Sequence, residues 1–135
     1  MSLMNLIPAV DAHCDVPCGI YETDTMKHAA DTCARMVEII TGLGELDGIE
    51  KHNTFVRSVM TKEKHAQLVK DQLYLLWSDY FKPEHLEAQP DLHDVVWKAV
   101  KQASKVKQTV NADETHALQH AVADVAECFA KTKQQ

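Results

Sequence analysis

Apolar residues return every three or four positions through most of this chain, interrupted by short runs of glycine, proline and polar residues. That is the period of amphipathic helices, not of strands. From Thr25 to about Leu43 the apolar set is Met26, Ala29, Ala30, Cys33, Met36, Val37, Ile40 and Leu43. Thr23, Asp24 or Thr25 can cap the start, and Gly42 and Gly44 mark the end. Glu45 to Asn53, with Gly48, reads as a loop. Thr54 is placed to cap a second, long helix reaching Tyr80 or Phe81, with Phe55, Val59, Ala66, Val69, Leu73, Leu76 and Tyr80 three or four apart. Pro83 stops it, so Tyr80 projects from its end. After a turn from Pro83 to Pro90, Asp91 can cap a third helix striped by Leu92, Val96, Ala99, Val100, Ala103 and Val106. Asn111 with Glu114 resembles a capping-box variant opening a fourth, striped by Leu118, Ala121, Val122, Val125 and Phe129. Four such helices with short connections predict an all-α, antiparallel four-helix bundle.

Composition agrees with that fold and narrows the function. The 135 residues are one domain's length, and 45% hydrophobic content supports a core. Four glycines and four prolines are too few for a turn-rich β fold. A formal net charge of −6 leaves no basic footprint for nucleic acid and no cationic face for a membrane. No window is long and apolar enough to span a bilayer. Residues 1–12 lack the positive n-region and apolar h-region of a secretory signal, so a cytoplasmic protein with reduced thiols is expected. Four cysteines are too few for a disulfide scaffold. Cys33 falls on an apolar stripe and reads as a small buried hydrophobe, and Cys128 adjoins another. His116 and His120 are four apart, a spacing that binds metal on a helix, but no third ligand stands beside them, so a solvated face is expected.

One stretch belongs to none of these helices: Ala12-His13-Cys14-Asp15-Val16-Pro17-Cys18-Gly19-Ile20-Tyr21. Pro17 biases Val16 away from helix, and Pro17 with Gly19 makes the segment turn, so that both sulfurs can approach one ion. Thiolates are soft ligands, and a square-planar set of nitrogens and sulfurs favours Ni(II) or Cu(II) over magnesium or calcium. The Cys-x-x-x-Cys spacing alone is weakly specific and leaves a redox pair or an incidental pair open.

With its flanking residues, His-Cys-Asp-x-Pro-Cys-Gly-x-Tyr resembles the nickel hook of nickel-containing superoxide dismutases. Trp77-Ser78-Asp79-Tyr80-Phe81-Lys82-Pro83 is similar to the segment ending the second helix in that family. The resemblance implies one nickel ion per subunit, held by the His13 α-amine, the deprotonated Cys14 amide and the Cys14 and Cys18 thiolates, with the His13 imidazole axial in the oxidised state. It implies that Tyr21 and Tyr80 flank the open face of the metal and that Asp15 helps hold the hook, these three serving catalysis. The implied reaction is superoxide dismutation by Ni(II)/Ni(III) cycling, in a homohexamer. It further implies that residues 1–12 are a propeptide cut before His13 by a processing peptidase, because the His13 nitrogen is an amide while Ala12 is attached. The chain then divides into residues 1–12, the hook 13–21 and the bundle 22–135.

Other readings stay beside these. Both tyrosines also suit amphipathic anchors at the core edge. Trp77 and Phe81 suit core or interface packing, and residues 1–12 suit a plain terminal tail. A nickel carrier or inactive relative keeps the thiolates without needing a free His13 amine. A thiol-disulfide protein is a third class, against which the absence of Cys-x-x-Cys counts. The chain also departs from the family in two places near the axial imidazole. Ala29 stands where some members have glutamate, and His65 stands at an arginine position, either as a substitute hydrogen-bonding partner or as an exposed histidine.

Overall fold

The computed structural model describes residues 19–133. Its order is α1 (Asp24–Gly42), α2 (Ile49–Leu75), one π turn (Leu76–Tyr80), α3 (Pro83–Ala88), α4 (Leu92–Gln108) and α5 (Ala112–Thr132). The four long helices close a ring: α1 packs on α2, α2 on α4, α4 on α5, and α5 back on α1. The start of α1 and the ends of α2 and α5 meet through Tyr21, Tyr80 and Phe129, as an antiparallel bundle requires. The shared core is small and aliphatic, with Ala29, Ala30, Ala66, Val69, Leu73, Ala99, Ala103, Leu118 and Val125 all buried. The alanines let the helices approach closely, and the stripes expected for α1, α4 and α5 form this core with Met36, Leu43, Val100 and Ala121 half-buried at its edge.

Helix α2 begins earlier than its polar pattern predicts. Thr54 is not its cap; the helix starts at Ile49, behind Gly48 at φ 88°. Glycine tolerates that left-handed backbone, and nothing from 49 to 53 opposes a helix once the chain has turned. Lys51 pairs with Asp47 at 2.7 Å across the junction, and the His52 Nδ1 lies 2.8 Å from the Gly48 carbonyl. In this first half Phe55 and Val59 are only half-buried, while Ser58 and Lys62 point inward. The Lys62 ammonium donates to the Val106 and Lys107 carbonyls at 2.6 and 2.7 Å, satisfying the C-terminal end of α4. Burial pushes its pKa down.

Two other junctions differ in detail. The turn after Pro83 holds the short α3, with Pro83 at its first position. At α5, the Asn111 side chain accepts from the Asp113 and Glu114 amides at 2.8 and 3.2 Å, as expected. The Glu114 carboxylate does not return the bond; it accepts from Gln102 at 2.6 Å instead.

Candidate functional site

The candidate site is built from the first described residues, directly after Cys18. Gly19 has φ 69°, a left-handed conformation that turns the backbone directly after Cys18. Two residues on, Tyr21 packs against the bundle. The Glu22 carboxylate then accepts from the Thr25 amide at 2.8 Å. Glu22, and not Thr23, Asp24 or Thr25, thereby caps the first turn of α1, placing a negative group at the positive end of the helix. The segment from Gly19 to Glu22 is thus fixed at the rim of the bundle.

At this rim Tyr21 meets Tyr80, far away in sequence, with ring centroids 5.3 Å apart and a 52° tilt. The π turn produces the meeting. The Phe81 amide reaches back to the Leu76 carbonyl at 2.9 Å, one residue further than in an α-helix, and Phe81 then turns extended ahead of Pro83. Tyr80 is therefore the last helical residue before the break.

Tyr80 is the hub of an aromatic cluster. Phe129 of α5 lies 4.7 Å away, Phe81 5.3 Å, and His85 stacks nearly parallel at 5.6 Å. Each such pair contributes about 0.5–1.5 kcal/mol beyond area burial. His85 is fixed because its Nδ1 accepts from the Lys82 amide at 3.0 Å. The Tyr80 hydroxyl meets Thr132 Oγ1 at 2.5 Å, and the Lys133 ammonium sits 5.2 Å from the Tyr80 ring centre and 5.1 Å from that of Phe129. Beside them an open cleft of about 500 Å³ is lined by Thr23, Lys27, Phe129 and Lys133 among others.

The structure thus brings together two of the expected site residues, Tyr21 and Tyr80. His13, Cys14, Asp15 and Cys18 lie outside the described residues. Among the described residues no three His, Cys, Asp or Glu side chains are grouped to hold a metal, and His116 and His120 are both exposed. Cys33 and Cys128 are free, buried thiols. Burial pushes Cys33 up to about 11, against the Lys62 charge, which acts the other way. Burial raises Cys128 as well.

Ala29 is buried in the core and supplies no carboxylate. The His65 Nδ1 lies 2.8 Å from the Thr61 carbonyl, which only accepts, so that nitrogen carries the proton. In the neutral ring the remaining Nε2 accepts, unlike an arginine. Trp77 is exposed rather than in the core, and its Nε1 donates to His93 Nδ1 at 2.9 Å. Thr132, His85 and Lys133 were not singled out by sequence, although Thr132 continues the α5 stripe of Val125 and Phe129. Among the described residues no helix is long and apolar enough to cross a membrane.

Comparison with known proteins gives one answer. The sequence model of nickel-containing superoxide dismutases matches residues 8–133. The chain is 34% identical to a superoxide dismutase [Ni] of Streptomyces seoulensis over 124 residues, 92% of this chain and 90% of that one. It is 32% identical to its counterpart in Streptomyces coelicolor over the same shares. In structure it is similar to a nickel-containing superoxide dismutase whose nickel ligation corresponds to the oxidised state, with a TM-score of 0.81 and 32% identity over 91% of this chain and all of that one.

Proposed function

Because the chain belongs to the nickel-containing superoxide dismutase family, we propose that residues 13–18, entering the bundle through Gly19, form its nickel centre. The protein is an oxidoreductase that converts superoxide to dioxygen and hydrogen peroxide, with nickel as its metal, one ion per subunit. Bound nickel supplies the one-electron redox couple, and two superoxide anions with two protons balance as one dioxygen and one hydrogen peroxide. The chain's own residues supply the rest. Cys14 and Cys18 bind as thiolates and donate charge that favours the higher oxidation state. The His13 α-amine, the deprotonated Cys14 amide and the His13 imidazole would complete the set of donors that hold the nickel. Asp15 holds the hook. Tyr21 and Tyr80 wall the approach, and their 5.3 Å contact is the observation that carries this reading to the bundle. With Ala29 in place of a carboxylate, the imidazole's orientation rests on other partners.

The finer parts of the proposal follow from the same ligand set. The His13 amine exists only once residues 1–12 are removed, which calls for a processing peptidase. Thiolate ligands favour a compartment that keeps thiols reduced, and the cytoplasm is the one proposed. The assembly proposed is a homohexamer. The apolar groove of Tyr74, Trp77 and Trp97 between the end of α2 and α4 supplies area of the kind that subunit contacts cover.

A single set of samples tests the centre: uncut protein, protein beginning at His13, and processed His13→Gln, each assayed for nickel content and superoxide decay. Uncut protein is expected to lack nickel-dependent turnover. Processed His13→Gln keeps the amine, the amide and both thiolates, so it should retain Ni(II), lose most turnover and lose the Ni(III) electron paramagnetic resonance signal. Full turnover from a chain still carrying Met1 would remove the amine from the ligand set. Wild-type turnover in His13→Gln would remove the imidazole and favour the carrier reading.

A further inference from the structure

The hydroxyl of Thr132 has one proton, and the structure assigns it. Thr132 Oγ1 donates to the Phe129 carbonyl at 2.6 Å, within its own helix. A carbonyl oxygen only accepts, so toward the Tyr80 hydroxyl Thr132 has only acceptor capacity left. Tyr80 must therefore be the donor in the Tyr80–Thr132 bond. The relay runs one way, from the phenol to the threonine to the last turn of α5. Thr132 is nine-tenths buried, so water does not compete freely for its oxygen. The ring is meanwhile gripped by His85, Phe129 and Lys133, which leaves the phenol little freedom to turn elsewhere.

We infer that Thr132 is a positioning residue for the dismutation: it commits the Tyr80 proton to α5 and leaves the phenol oxygen facing its surroundings only as an acceptor. This rests on the placement of Tyr80 at the mouth proposed above. The consequence concerns which species the wall favours. An oxygen that only accepts repels a bare anion and holds a protic one, so Tyr80 does not protonate superoxide. It suits a water or the neutral hydrogen peroxide product, each of which brings its own proton. The protons consumed in turnover then come from solvent or from other groups, and Tyr80 keeps its own throughout.

The test uses processed, nickel-loaded protein as wild type, Thr132→Val, Thr132→Ser and Tyr80→Phe. Valine keeps the shape and deletes the acceptor; serine restores the hydroxyl. Resonance Raman reads the hydrogen-bonding state of tyrosine from its ring doublet. Subtracting Tyr80→Phe isolates Tyr80 from the other two tyrosines. Wild type and Thr132→Ser are expected to show a Tyr80 hydroxyl acting as a donor, and Thr132→Val the mixed signature of a phenol released from it. With its proton freed to meet anions, Thr132→Val should bind azide several-fold more tightly. It should also lose about 2- to 10-fold in kcat, the equivalent of one hydrogen bond, because a donating phenol retains the anions that the wild-type wall repels, while Thr132→Ser stays near wild type. An unchanged doublet in Thr132→Val overturns the relay. A changed doublet with unaltered azide affinity and turnover overturns the positioning role, as does an equal loss in valine and serine variants, which marks simple packing. Failure of the dismutase reading is separately visible: the wild type would then match Cys14→Ser in turnover, whatever the doublet shows.

Discussion

Cys33 and Cys128 are thiols inside a protein whose product, hydrogen peroxide, oxidises thiolates. Their defence is local chemistry. Each is buried, and burial raises both pKa values, so almost none of either thiol is in the reactive form near neutrality. For Cys33 this has a cost at alkaline pH. Its ordinary value is 9.0 and its folded value about 11, so above pH 9 the unfolded chain releases the thiol proton first. The folded state then binds more protons, and stability falls as pH rises from 9 toward 11. Lys62, whose backbone carbonyl accepts from the Cys33 sulfur at 3.6 Å, acts with the opposite sign because its own folded pKa is depressed below 10.5. The difference between wild type and Cys33→Ala therefore isolates the thiol. Urea unfolding across pH 8–11 is expected to show a steeper alkaline loss in wild type, with turnover of the folded variant intact. Parallel pH profiles would mean that Cys33 titrates as though exposed.

The end of α2 is the element on which the contact of Tyr80 with Tyr21 depends. Leu76 opens the π turn with its side chain 2% exposed in the core, while its neighbour Trp77 is 51% exposed. Leu76→Ala should destabilise the bundle by about 2–5 kcal/mol through lost transfer energy and a cavity. Trp77→Ala should cost well under half of that, as read by chemical denaturation of both. The reverse order would place the turn on the wrong face. Most of the bundle was legible because α1, α4 and α5 each bury one apolar stripe, and a stripe is local information. The first half of α2 was not. Its interior positions are Ser58 and Lys62, polar residues made acceptable by α4 carbonyls that are distant in sequence. Thr54 looked like a cap because threonine caps helices, but a glycine able to take φ 88° ended the loop sooner. The family was legible through the motif around Cys14 and Cys18, and the place of Tyr80 at the end of the second helix through the Trp77-to-Pro83 segment. Thr132, His85 and Lys133 were not, because what makes them matter is contact with Tyr80 across the end of the bundle, which only the fold creates.

At the scale of the whole molecule, charge and substrate oppose one another. The chain carries a formal net charge of −6 and its substrate is an anion, so the overall field works against encounter. Ionic screening limits that field to about 8–10 Å at ordinary salt, and within such a distance individual side chains decide the sign. Beside Tyr80 stands the Lys133 ammonium, 5.2 Å from its ring centre, with Lys27 lining the same cleft. Glu127 also lines this cleft, but Lys131 partly offsets it at 3.6 Å. Local attraction should therefore prevail over the molecular charge, and it should be adjustable at one position. Lys133→Arg, Lys133→Gln and Lys133→Glu form a series of positive, neutral and negative side chains on the exposed face of one ring. In nickel-replete samples of matched metal content, kcat/KM at low ionic strength should fall along that series, by about tenfold at its negative end. Added salt should slow wild type and Lys133→Arg, leave Lys133→Gln nearly level, and partly restore Lys133→Glu. Stopped-flow decay of superoxide across ionic strength measures all four slopes. If they run parallel, the losses come from the missing cation–π contact with Tyr80 and Phe129, and the attraction must be sought elsewhere on the rim.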